Sequence, residues 1–307
     1  MSQEDCEEFR DLICRLLPGL GICEVAKPSG QRIVYFGEFV SPATEEHQLW
    51  GDVVVKVSSG ISPAVISYLQ REIRTLNELD SDYYPKLHFD DVYTEDPDTE
   101  DKLEERLFVT VEERIQSVPL AECSSSYSTE QQVRVLLTEL VCALRLLWEQ
   151  KPPLVHRDIK PENILIKDDG SVVIIDLGIV REEGAAGVTK TEALWGPCTP
   201  HFSSPEQARN DKRNITFKSD IFELGILAYE LISGSNPFRP SSDMSIVDVL
   251  GNVINHDPSP LKDISDVSDE FAALISRMMQ KEPYRRPRTP DSLLESLDRL
   301  QEKHNGD

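Results

Sequence analysis

The stretch His156-Arg157-Asp158-Ile159-Lys160-Pro161-Glu162-Asn163, running directly into Ile164-Leu165-Ile166, is the most informative part of this chain. About ten residues later a second apolar run, Val172 to Ile175, ends in Asp176-Leu177-Gly178. The two apolar runs read as short strands split by the turn Asp168-Asp169-Gly170. Ahead of them, Thr129 to Glu149 repeats Val133, Leu136, Leu137, Leu140, Val141, Leu144 and Leu147 every three or four positions. That spacing predicts a long amphipathic helix. Behind them, helical patterns dominate from Asp220 to the end. A lone D-x-G triplet is an ordinary turn; the eight-residue polar run before it is what gives it weight.

Further out, toward the N-terminus, the pattern changes. Glu4 to Leu17 carries Phe9, Leu12, Ile13, Leu16 and Leu17 at helical spacing and stops at Pro18-Gly19. Ile33 to Val40 and Gly51 to Val57 read as strands, joined by a polar hairpin loop over Ser41 to Gln48. A helix follows from about Pro63 to Leu79, with Ile66, Leu69, Ile73, Leu76 and Leu79 on one side. Asp90 to Glu105 is dense in acids and reads as an exposed loop between strands; Leu107 to Val111 reads as the next strand. A strand-rich first third and a helix-rich remainder predict two lobes joined near Glu112 to Leu120. Junctions of this kind often form ligand clefts. The expected organisation is a helical extension over 1–19, a small lobe over 20–115, a large lobe over 116–300 and a tail over 301–307.

The bulk numbers narrow the function. With 55 Asp and Glu against 32 Lys and Arg, the formal charge is −23. Nucleic-acid backbones and anionic membranes would repel such a chain, so neither is expected as a partner. The acidic surface either keeps the protein soluble or recruits a basic substrate. No apolar run reaches the ~18 residues of a membrane span, and the acidic N-terminus lacks a secretory pattern. Six cysteines, at 6, 14, 23, 123, 142 and 198, contain no C-x-x-C pair and read as reduced thiols. The expected compartment is the cytoplasm.

The run from His156 to Asn163, followed by Asp176-Leu177-Gly178, resembles the catalytic loop and metal-binding turn of the eukaryotic-like (Hanks-type) serine/threonine protein kinases, H-R-D-x-x-x-x-N and then D-F-G. The resemblance covers roughly residues 20 to 300 and its motifs fall in order. It implies an α+β, bilobal protein-kinase fold: a small antiparallel-sheet N-lobe with one key helix, and a larger, mainly helical C-lobe. It implies transfer of the γ-phosphate of Mg-ATP to protein hydroxyls, with Mn²⁺ as an alternative metal. Asp158 would accept or orient the hydroxyl, Lys160 would offset phosphate charge, and Asn163 and Asp176 would supply oxygen ligands to the metal. Lys56, ending Val53-Val54-Val55-Lys56, resembles the strand lysine that reaches the α- and β-phosphates. Glu72, in Arg71-Glu72-Ile73, would hold it as an ion pair. Val34 and Val54 would cover the adenine and Leu165 would support it.

The phosphate-covering loop departs from the family's G-x-G-x-x-G-x-V. Here it reads Lys27-Pro28-Ser29-Gly30-Gln31-Arg32-Ile33-Val34, so Gly30 alone survives and Arg32 stands at the last glycine. Arg32 or Lys27 could lend positive charge to the phosphates instead. Downstream, Thr199-Pro200-His201-Phe202-Ser203-Ser204-Pro205-Glu206 resembles the platform T-P-x-Y-x-A-P-E. Thr199 would bond Asp158 and Lys160, Glu206 would pair with Arg286, and Asp220 would hold the catalytic loop. Thr189 and Thr191 are candidate autophosphorylation sites, with Arg157 as the phosphate's receptor and a transient dimer for reaction in trans. Two other readings share much of the pattern: a pseudokinase or scaffold module, and a kinase of small molecules. The lysine two places after Asp158 and the platform from Thr199 to Glu206 speak against the second.

Overall fold

The computed structural model describes residues 3–25, 32–40, 43–59, 63–177, 181–182 and 198–304. Lys27, Gly30, Thr189 and Thr191 lie outside the described residues. The chain divides into two compact units, 1–116 and 117–307.

The first unit runs α1 (Gln3–Leu16), β1 (Leu20–Val25), β2 (Arg32–Phe39), α2 (Glu45–Gln48), β3 (Asp52–Ser58), α3 (Pro63–Glu78), β4 (Leu87–Glu95) and β5 (Lys102–Glu113). Its strands form one antiparallel sheet in the order β1-β2-β3-β5-β4. Strand alternation sorts the residues of β3 onto two faces. Val53, Val55 and Val57 are fully buried on one; Val54 and Lys56 are half-buried on the other. The first face joins Ile33 and Tyr35 of β2 and Val109 and Val111 of β5 to Ile13 and Leu16 of α1, and to Leu17 just after it, in one apolar core. The stripe that predicted α1 is therefore the stripe that covers the sheet, leaving Lys56 on the opposite face. Each such side chain, once buried, contributes roughly 1.5–3 kcal/mol. Pro18-Gly19 turns the chain from α1 into β1. Gly19 sits at φ +88°, and a Cβ there would lie 2.5 Å from Ala43 Cβ, so a side chain is excluded.

Two expectations are corrected in this unit. The segment Ser41 to Gln48 is not all loop: it contains the helical turn α2, capped where His47 N–H donates to Thr44 Oγ1 at 3.1 Å. The acidic segment Asp90 to Glu105 is mostly strand, the end of β4 and the start of β5, with only 96–101 as the turn. β4 is an edge strand, so its acids face solvent while the backbone still pairs with β5. Charge density there marked an exposed edge, not a loop.

The second unit runs β6 (Val118–Pro119), α4 (Leu120–Cys123), α5 (Glu130–Trp148), β7 (Leu154–Val155), β8 (Ile164–Ile166), β9 (Val172–Ile174), β10 (Arg181–Glu182), α6 (Pro205–Ala208), α7 (Phe217–Ser233), α8 (Ile246–Asn255), α9 (Leu261–Ile264), α10 (Asp269–Met278) and α11 (Pro290–His304). α5 starts at a reciprocal cap, Thr129 with Gln132, and buries Leu136, Leu137, Leu140 and Leu144. α7 is apolar almost all round and nearly wholly buried, as the central helix of such a unit must be. β8 and β9 pair as the predicted hairpin, Ile164 opposite Ile174. Among the described residues, no helix is long and apolar enough to cross a membrane.

Candidate active site

In the second unit the segment 156–163 leaves β7 and returns into β8, and its backbone is held from beneath by buried acids. Asp220, in the first turn of α7, accepts from His156 N–H at 3.0 Å and Arg157 N–H at 2.9 Å. It also accepts from Trp148 Nε1–H at 2.7 Å, which ties α5 to the same point. Glu223, one turn along α7, accepts from Ile159 N–H at 2.7 Å. The Gln207 side-chain amide donates to Arg157 O at 2.8 Å. These bonds hold Arg157 at φ +75°, a left-handed conformation that a non-glycine residue adopts only under constraint. Burial pushes the carboxyls of Asp220 and Glu223 above their ordinary values, Glu223 well above, with the nearby Asp220 adding to it.

On this support sits a close-knit polar group. Asp158 Oδ1 accepts from the Thr199 hydroxyl at 2.6 Å. Asp158 Oδ2 accepts from Lys160 Nζ at 2.7 Å and from Asn163 Nδ2 at 3.0 Å. Lys160 Nζ also donates to Thr199 Oγ1 at 3.0 Å. Burial pushes Asp158 upward, but the Lys160 ammonium and the hydrogen bonds from Lys160 and Thr199 outweigh it and leave the carboxyl below its ordinary value. Asp158 is therefore a carboxylate at neutral pH, already accepting from an alcohol. Cys198, next to Thr199, is pushed up to about 11, chiefly by burial, and stays a thiol.

Asn163 spends its amide nitrogen on Asp158 Oδ2 and on Asp158 O at 2.9 Å, which leaves Oδ1 as the atom able to meet a cation. The β8–β9 pairing extends one step beyond the strands, since Ile175 N–H donates to Asn163 O at 2.9 Å. Asp176, the next residue, is exposed and takes φ +65°, the second left-handed non-glycine residue of the site. Among the described residues, no group of three or more His, Cys, Asp and Glu forms a ready-made metal cage. One amide oxygen and one carboxylate suit Mg²⁺, which is usually bound through one or two protein ligands together with phosphate and water.

Thr199 opens the segment that leads to Glu206, and Glu206 anchors that segment. Its carboxylate meets Arg286 in a fork, Nη1 to Oε1 at 2.7 Å and Nη2 to Oε2 at 2.9 Å, and accepts from Ser219 Oγ at 2.6 Å. Arg286 is fully buried, lies over the Phe222 ring and also donates to three backbone carbonyls, Lys218, Gln280 and Lys281. Leu165, in β8, and Leu177, after Asp176, are half-buried and buried respectively.

In the first unit, Val34, Val54 and Lys56 share the sheet face away from α1, and Glu72 reaches toward it from α3. Lys56 Nζ lies 3.5 Å from Glu72 Oε1, so the expected pair is present. It is not the shortest contact of either side chain. Lys56 Nζ is 2.7 Å from Glu112 Oε1, and Glu72 is gripped by Arg32 at 2.6 and 3.3 Å. Arg32, whose charge could have been lent to phosphate, pairs with the buried carboxylate of Glu72. Burial raises Glu112 above its ordinary value, and the charges of Lys56 and Arg32 oppose the rise. Glu112 had no counterpart among the residues that the motifs single out. The signal for it is an acid at the end of an apolar strand, which becomes meaningful only once the sheet register is known.

A mixed fold with a small antiparallel sheet bearing a lysine–glutamate pair, and a helical unit bearing an aspartate–lysine–asparagine loop, is the arrangement of a protein kinase domain. The chain belongs to that family: the family model for the protein kinase domain matches residues 55–296. It is similar to the serine/threonine-protein kinase PknL of Mycobacterium tuberculosis, 48% identical over 93 residues, which is 30% of this chain and 22% of the relative. It is 34% identical over 152 residues to the serine/threonine-protein kinase PknB of Mycolicibacterium smegmatis, covering 48% of this chain and 23% of that protein. A probable serine/threonine-protein kinase of Clostridium perfringens matches at 30% over 156 residues, covering 50% of this chain and 22% of its own length. The chain thus spans under a quarter of these curated relatives.

Proposed function

We propose that this chain transfers the γ-phosphoryl group of ATP to serine or threonine hydroxyls of protein substrates. The observation that carries the reading is the 2.6 Å bond from the Thr199 hydroxyl to an ionised Asp158, with Lys160 bridging both. An incoming alcohol meets the same acceptor. Its oxygen attacks the γ-phosphorus, the bond to the β–γ bridging oxygen breaks, ADP leaves, and the alcohol's proton passes to Asp158. Lys160 offsets negative charge on the transferring group. Lys56, paired with Glu72, binds the α- and β-phosphates, while Val34, Val54 and Leu165 contact the adenine and the loop at Gly30 covers the phosphates. Asn163 and Asp176 hold Mg²⁺, or Mn²⁺, which when bound neutralises phosphate charge. The five free cysteines among the described residues suit a reducing cytoplasm.

Autophosphorylation at Thr189 or Thr191, within a transient dimer, is part of this reading, with Arg157 as the phosphate's partner. Mass spectrometry of active protein is expected to find phosphate on at least one of the two threonines; both bare would remove this part. For the transfer itself, radiolabelled ATP and a generic protein substrate are compared between wild type and Asp158→Asn. Loss of a positioned proton acceptor costs roughly 10²–10⁴-fold in rate. Equal labelling by both proteins would dismiss the role of Asp158. One observation favours a scaffold that binds without transferring, namely that Lys56 lies closer to Glu112 than to Glu72. No labelling by either protein would decide for it.

A further inference from the structure

The sheet register places three charged residues on one diagonal of one face. Arg32 pairs with Ser58, Val34 with Lys56, Lys56 with Thr110 and Val54 with Glu112. Side chains two residues apart on a strand share a face, so Arg32, Lys56 and Glu112 stand at successive levels across β2, β3 and β5. Glu72, from α3, meets the first two. Contacts run from Arg32 to Glu72 at 2.6 Å, from Glu72 to Lys56 at 3.5 Å and from Lys56 to Glu112 at 2.7 Å. Glu72 and Glu112 are each only 3% exposed.

A lysine with one glutamate is neutral as a pair. Here Lys56 meets both Glu72 and Glu112, and without Arg32 these three side chains would together carry a net negative charge. Arg32 returns the sum over the four side chains to zero. Its planar fork also donates to both oxygens of Glu72, a geometry that lysine cannot supply.

We propose that Arg32 is a positioning residue for nucleotide binding, neutralising the second carboxylate that Glu112 brings to Lys56 so that the lysine stays available to phosphate. The proposal rests on the reading of Lys56 as the phosphate-binding lysine. It explains why a large cation stands where the family has its last glycine, and why a buried acid follows the apolar run Leu107 to Val111 of β5: the two compensate each other.

The test is a charge cycle on the 307-residue chain, read as the dissociation constant of Mg-ATP by calorimetry, with thermal melts to confirm folding. Arg32→Gln keeps one donor for Glu72 while removing the charge and the fork; it is expected to weaken binding about tenfold, the size of one unscreened charge at ~10 Å in a protein-like dielectric. Glu112→Gln alone is expected to tighten binding, by roughly threefold, because the excess acid is gone while Arg32 remains. The double variant is expected to return to within about threefold of wild type. A brace that merely holds the fold together would not be rescued by removing a second buried partner. Unchanged binding in Arg32→Gln, or a loss that Glu112→Gln does not repair, would overturn the proposal. Should Arg32→Gln fail to fold, Glu112→Gln carries the test alone: tighter binding supports the balance and unaltered or weaker binding refutes it. Phosphate transfer is measured beside it. A wild type that binds Mg-ATP but transfers nothing would sink the kinase reading while leaving the charge cycle interpretable.

Discussion

Asp220 receives three donors on two oxygens, from Trp148, His156 and Arg157, in a fully buried setting. Replacing it by alanine leaves two backbone N–H groups without a partner, each costing about 1–3 kcal/mol. Asp220→Asn is expected to fail too, since its amide nitrogen would face donors; denaturation of both variants in urea checks this. His156, on the same loop, is fully buried and its pKa is lowered by desolvation, against the pull of Asp220, Asp158 and Asp176. The unfolded chain takes up a proton there near pH ~6.5, and the folded chain refuses it. Stability is therefore full above that pH and is lost as pH falls through it toward the folded value. Unfolding curves at pH values of about 7.5, 6.5 and 5.5 should show the decline, and His156→Phe should make it shallower; an equal slope would refute the assignment. His88 and His201 are lowered by burial as well and keep part of the slope. Residues such as Asp158, Lys160, Asn163 and Thr199 could be singled out beforehand because they sit at fixed intervals along the chain. Glu112 could not, and neither could the partner of Arg32: both depend on which residues three strands bring to one level, a property of register that no single segment carries.

Elements follow the same division. α5 and β3 were legible from periodicity, and their ends moved by only a residue or so from expectation. β4 was hidden, because Phe89 and Tyr93 pack only partly against the core and acids fill exposed positions between and beyond them, so no clear apolar alternation shows. α1 was legible as a helix whose leucines suit packing on the small unit, and the structure adds which face of the sheet they cover. Ile13, at 0% exposure between helix and sheet, makes that packing testable. Ile13→Ala is expected to cost about 2–5 kcal/mol by the lost contacts and the cavity left behind. In the second unit, α6 is held to the segment before α11 by the Glu206–Arg286 fork. Breaking it from one side strands a buried charge, so Arg286→Ala is expected to cost roughly 3–5 kcal/mol, and Arg286→Lys to recover only part of that. Chemical denaturation of the two variants decides, and equal stability of Arg286→Lys and wild type would show that the fork geometry is irrelevant.

At the scale of the molecule the dominant quantity is charge, −23 over 307 residues. Much of it is displayed on β4, β5 and their turn, where Asp90, Asp91, Glu95, Glu100, Glu104 and Glu105 are all exposed. A field of that sign acts oppositely on the two substrates of the proposed reaction. It draws in a peptide rich in lysine and arginine and opposes the approach of ATP. Added salt weakens both effects, since the screening length falls from about 30 Å near 0.01 M to about 8 Å near 0.15 M. The expected result is a divergence: between ~10 and ~300 mM NaCl, KM for a basic peptide rises about fivefold or more while KM for Mg-ATP falls or holds. A neutral peptide serves as the reference and should change little. If the basic and neutral peptides respond alike, the acidic surface has no part in substrate capture and its contribution is solubility alone.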